Sequence, residues 1–139
     1  MEGGQYRTAR PLPPDLTEAG RDVGEAFGIG SDWLNSDPTD LLDLGLPPGF
    51  EARVKIRSYD ALTLNLTSRL DQICFKPYAA ADQGPASKHV ADLRQLEASR
   101  DELLFAARWT RTHDPSPAFR SGLVRALGFL GVEDAGDEL

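Results

Sequence analysis

Between Leu62 and Leu96 an alternating strand runs into a helix carrying Lys76, then a Gly-Pro turn, then a second helix carrying Lys88 and Asp92. Leu62, Leu64 and Leu66 alternate with Thr63, Asn65 and Thr67, which is strand periodicity, and the apolar spacing then changes to that of a helix. One strand cannot stand alone. Its partner is the alternating run from Arg53 to Tyr59, with a break at Asp60. In that run Val54 and Ile56 take one face and Arg53, Lys55 and Arg57 the other, whose charge reads as a solvated outer face. The expectation is a two-stranded antiparallel hairpin inside a mostly helical α+β domain. Two strands are marginal by themselves, so the hairpin is expected to pack on helices or to join a larger sheet.

Helical spacing accounts for most of the remainder. Leu16, Ala19, Val23, Ala26 and Phe27 mark a first helix, with prolines before it and Gly28 and Gly30 after it as a stop. Trp33 follows as a core plug, and Asp37-Pro38 opens a short helical turn through Leu41 and Leu42 before Gly45 ends it. Thr67 or Ser68 caps the next helix, whose buried stripe is Leu70, Ile73, Cys74, Tyr78 and Ala81, with Arg69, Gln72 and Lys76 on another side. Pro77 lies inside it and predicts a kink or an early break, because an interior proline costs about 3 kcal/mol. Val90, Leu93 and Leu96 define the buried side of a further helix, beside Lys88, Asp92 and Gln95. Ser99 with Glu102 forms a capping box for another, and Asp114-Pro115 opens the last, which Gly131 stops. The domain organisation expected is an extended arm over 1–14, a single domain over 15–131 and a frayed acidic tail over 132–139.

At 139 residues the chain can bury a core of its own. Fifteen Lys and Arg against 22 Asp and Glu give a formal net charge of −7, which repels polyanions and excludes general DNA binding. The one cysteine, Cys74, excludes an internal disulfide and any CxxC motif, and reads as a buried small hydrophobe. No secretory leader and no apolar run near the roughly 18 residues of a membrane span is present, so a soluble cytoplasmic protein is expected. GxSxG, GxxxxGK[ST], HExxH and GxGxxG are all absent. His113 beside Asp114 reads as a partner for a helix C-terminus, and His89 opens the helix that presents Asp92. Spacing leaves open whether Lys76 and Asp92 serve a nucleotide or form an ordinary salt bridge between packed helices.

The run LTLNLTSRLDQICFKPYAAADQGPASKHVADLRQL, with DWLN at Asp32 to Asn35 and the hairpin, resembles nucleotidyltransferase-like proteins of the bacterial abortive-infection AbiEii type. The resemblance is to their C-terminal part and covers the chain from about Pro13 to Leu130. It implies that Lys76 faces the nucleotide phosphates and that Asp92 lies near the same pocket as a catalytic partner, with Lys88 and Arg69 as further nucleotide-binding groups. In intact relatives the cofactors are Mg²⁺ and an NTP, and a nucleotide is moved to RNA or protein in toxin–antitoxin or phage-defence settings. A lysine stabilises developing phosphate charge as a point cation, and carboxylates hold the metal. This chain departs from the pattern in having no segment that joins a Gly-Ser turn to a DxD carboxylate pair on an N-terminal strand. The expectation is therefore an incomplete nucleotidyltransferase-like domain, inactive alone, with no metal site of its own. Two rivals stand beside it. One is a non-enzymatic interaction module that forms a homo-oligomer or binds an antitoxin-like protein, and the other is a purely structural helical domain.

Overall fold

The computed structural model describes residues 11–37 and 45–139, and contacts divide the chain into two compact units, Met1–Leu46 and Pro47–Leu139. The single domain expected over 15–131 is thus parted between Leu46 and Pro47. In the first unit α1 (Pro14–Phe27) begins with proline at its first position and ends at Gly28, whose φ of 66° suits a residue without Cβ. The chain after α1 folds back on two glycines, Gly20 and Gly24, the buried residues of that helix. Trp33 donates its indole N–H to the Gly20 carbonyl at 2.6 Å, and Leu34 lies against Gly20. At Gly24 a Cβ would run into the Gly30 carbonyl, so only glycine fits. Trp33 does plug against α1, yet it stays 45 % exposed. The helical turn expected from Pro38 through Leu41 and Leu42, and residues 1–10 of the arm, lie outside the described residues.

The second unit runs α2 (Phe50–Arg53), β1 (Lys55–Tyr59), β2 (Leu62–Leu66), α3 (Arg69–Gln83), α4 (Lys88–Gln95), α5 (Arg100–Arg111), α6 (Pro117–Phe129) and α7 (Ala135–Glu138). It is an α+β arrangement, mostly helical with one antiparallel hairpin, as the periodicities predict. Helix α3 is the hub and packs against α4, α5 and α6. Its buried side is Ile73, Cys74, Pro77 and Ala80, whereas Tyr78, expected in the stripe, is exposed. Leu93 from α4, Leu103 and Leu104 from α5, and Leu123 and Leu127 from α6 close the core around it. Each such buried leucine contributes roughly 1.5–3 kcal/mol.

Pro77 does not break α3, which continues to Gln83. Proline cannot donate to the Ile73 carbonyl, and the loss with its ring clash costs about 3 kcal/mol. Burial of Ile73, Cys74 and Ala80 on the same side, among three helices, outweighs that cost. The caps fall where the sequence puts them: Ser68 accepts from the Asp71 N–H, and Ser99 with Glu102 forms the reciprocal box. The acidic tail is not frayed. Val132 and Ala135 are buried, Arg100 and Arg108 reach Asp134 and Glu138, and Arg120 donates to the Gly136 carbonyl. Its carboxylates find cations that α5 supplies, which net charge alone conceals.

The hairpin departs from expectation twice. Arg53 belongs to α2 and leaves the strand, since its guanidinium turns to Asp71. Register pairs Lys55 with Leu66, Arg57 with Leu64 and Tyr59 with Leu62. Residues directly opposite share a face of the sheet, so Lys55 and Arg57 stand among the leucines of β2, and Ile56 faces the other way. Nor do the described residues of this unit cover either face: Ile56 is 66 %, Tyr59 58 %, Leu62 41 % and Leu66 39 % exposed.

The base of the hairpin is fastened to α3 by one buried carboxylate. Asp71 has no side-chain exposure, and Arg53 grips it with two N–H groups at 3.1 and 2.5 Å. Ser68 donates its hydroxyl to the same carboxylate at 2.5 Å. Removing one partner of a buried pair strands the other charge, which costs about 3–5 kcal/mol. Arg53 is partly exposed and can find water, whereas Asp71 cannot. Arg53→Ala is therefore expected to lose about 3 kcal/mol and Asp71→Asn less, read as urea midpoints. The reverse order would show that this pair is not the fastening.

Candidate functional site

Two cross-links set α4 antiparallel to α3. Lys76 meets Asp92 near the middle of both helices, and Arg69 at the start of α3 donates to the Leu96 carbonyl at the end of α4. Between the helices lies a concavity of about 330 Å³ lined by Gln72, Lys76, Asp92, Gln95 and Leu96. The ammonium of Lys76 is 2.6 Å from an Asp92 oxygen, with the two side chains 30 % and 38 % exposed. The structure thus brings the two principal sequence candidates to one concave seam. It also makes the salt bridge between packed helices that spacing left open.

Lys88 lies one helical turn before Asp92 on the same side of α4, exposed and outside the residues that line the concavity. Arg69 is elsewhere and occupied. It donates to the carbonyls of Leu96 and Glu97 at 2.8 Å each and to Glu102 at 2.5 Å, so it ties α3 to the α4–α5 turn. The Lys76 hydrogen bond holds the Asp92 carboxyl below the usual carboxylate range, with the charges of Lys76 and Lys88 assisting. Burial pushes His89 below the ordinary histidine value, and Lys76 and Lys88 push it further. At neutral pH the seam therefore holds two cations, one carboxylate and a neutral imidazole, a locally positive spot in a chain of net charge −7.

Ser87 was not singled out by sequence reasoning. It stands at the N-cap of α4 without a side-chain cap bond, and its Oγ is buried with no hydrogen-bond partner. His89 Nδ1 is orphaned in the same way. The first turn of a helix also leaves N–H groups without intrahelical partners, and these favour an anion. A serine directly after a Gly-Pro turn and before an apolar helical pattern was the available signal.

The other groups do less. Burial raises the Cys74 thiol to about 12, so it stays protonated and inert, as a buried small hydrophobe would. His113 lies past the end of α5, edge-on to Trp109 with centroids 4.9 Å apart, and its Nε2 is buried without a partner. A second concavity of about 280 Å³, beside Tyr78 and Phe119, carries Asp82 and Asp114 and would repel phosphate. Among the described residues no three His, Cys, Asp or Glu side chains are grouped to hold a metal ion, and no helix is long and apolar enough to cross a membrane. No protein-family model, no curated protein and no solved structure matches this chain.

The depressed His89 gives a pH signature. The unfolded chain binds the imidazole proton first, so stability is full above about pH 6.5 and declines as pH falls toward the lowered folded value. Thermal midpoints should therefore drop between pH 7 and 5, and His89→Asn should flatten that slope. An unchanged slope in the variant would place His89 in a solvated setting.

Proposed function

We propose that the α3–α4 seam binds the phosphates of a nucleoside triphosphate, as the lysine and aspartate side of a nucleotidyltransferase-type site. The supporting observation is that Lys76 and Asp92 converge at 2.6 Å on the concavity they both line. Lys76 is the phosphate-binding cation. Asp92 holds that ammonium over the concavity until a phosphate oxygen replaces the carboxylate, and Lys88 adds positive charge at the start of α4.

Transfer chemistry asks for more than this seam offers. The lining contributes one carboxylate, and a lysine ammonium sits 2.6 Å from it, so the donor set does not fit a Mg²⁺ site. The function proposed is binding of the triphosphate, and no bond-making step is assigned to these residues. The setting that the resemblance implies, toxin–antitoxin or phage defence, is carried as part of the same proposal.

Titration calorimetry with Mg-ATP and Mg-CTP tests it. Heat is expected with saturation at millimolar nucleotide or below, and Lys76→Ala should weaken binding about tenfold, the loss of about 1.4 kcal/mol from one charge-assisted contact. Arg69→Ala should lower the thermal midpoint and leave nucleotide affinity unchanged. Absence of heat at millimolar nucleotide, or binding indifferent to Lys76, would overturn the proposal.

A further inference from the structure

The hairpin presents a surface that the nucleotide proposal does not use. One face of β1–β2 carries Leu62, Leu64 and Leu66 in a row along β2, with Tyr59, Arg57 and Lys55 opposite them on β1. Three of the four apolar members are exposed and Leu64 is half-buried. Neither the Lys55 nor the Arg57 side chain has an ion-pair or hydrogen-bond partner among the described residues. A two-stranded hairpin with a bare apolar face is marginal in water, so this face gains by being covered.

The face itself says what would cover it. Its apolar row is one strand wide and five residues long, about 17 Å, the length of roughly three turns of helix. Its charges are both positive, in a chain whose net charge is −7. A second hairpin laid face to face would gather four positive side chains into one interface with no carboxylate on either face to meet them, at a cost. A helix with a leucine ridge and flanking carboxylates satisfies both parts: the ridge covers the leucine row and the carboxylates meet Lys55 and Arg57.

We infer that this face of the β1–β2 hairpin is a docking surface for an acidic amphipathic helix of a partner protein. The inference goes beyond nucleotide binding and does not depend on it, since the α3–α4 seam and the hairpin share no residue. Lys55 and Arg57 steer the approach and choose the partner's charge, and Tyr59 with the three leucines provides the buried centre.

The test uses the full chain and two synthetic helical peptides with the same leucine ridge, one flanked by glutamates and one by lysines. Amide shifts in a ¹⁵N spectrum are expected at Lys55–Leu66 with the glutamate peptide. Its affinity should fall as salt rises, and the lysine peptide should bind at least about tenfold more weakly. The double variant Lys55→Glu, Arg57→Glu, checked for an unchanged far-UV spectrum and thermal midpoint, should reverse the preference between the peptides. Because both sites are solvent-facing, the fold is expected to survive. Equal affinity for both peptides, shifts outside the hairpin, no binding of either, or a dimer of the free chain that buries the hairpin would each overturn the inference.

Discussion

The second unit depends on the burial of one helix. Helix α3 is enclosed by α4, α5 and α6, and Ile73, Cys74 and Ala80 have no exposure at all. That enclosure explains why a proline is tolerated at its centre. The missing backbone bond is a fixed local cost, whereas burial grows with every side chain that faces inward. It also explains the approach of α6, where a Cβ on Gly122 would stand 3.0 Å from the Ala81 carbonyl. A larger residue there would have to push the two helices apart.

Once α3 is fixed, its ends become places to anchor other pieces. At its start Asp71 collects Arg53 and Ser68, so the hairpin hangs from a buried carboxylate and gains little from apolar cover. Two residues earlier Arg69 clamps the α4–α5 turn through two carbonyls and Glu102. These two neighbours, of opposite charge, therefore hold opposite sides of the unit. Because Arg69 closes the Leu96 end of the α4 seam and Asp71 is not among its lining residues, the middle of that seam remains open around Lys76.

Much of this was legible in the sequence. Ser68, Ser99 with Glu102, and the hairpin break at Asp60 obey local rules of capping and alternation, and the structure places elements there. The convergence of Lys76 on Asp92 was legible too, because 3.6-residue spacing puts each on the side of its helix next to the buried stripe. What escaped was set by long-range partners. Arg53 reads as a strand residue until Asp71, eighteen positions on, draws it into α2. Lys55 and Arg57 read as an outer face when β1 is taken alone, and only the cross-strand register shows that they stand among the leucines of β2. The tail reads as frayed because its carboxylates look unpaired, yet Arg100 and Arg108 lie more than twenty-five positions upstream and take them up. Ser87 escaped for a different reason: a serine at an N-cap is normally spent on the cap, and only coordinates reveal an orphaned hydroxyl.

The Lys76–Asp92 pair need not be chosen as either a strut or a ligand site. Its side chains are about a third exposed, and an exposed ion pair contributes only about 0–1 kcal/mol to stability. The α3–α4 packing is already secured by Val90 and Leu93, both buried, so the pair is not needed to hold the helices together. A weak, half-solvated pair over a concavity can exchange its carboxylate for a phosphate oxygen at small net cost. A buried pair such as Arg53–Asp71 cannot, because opening it would leave a carboxylate stranded in the interior. The contrast in burial, more than the identity of the residues, separates the fastening from the candidate site.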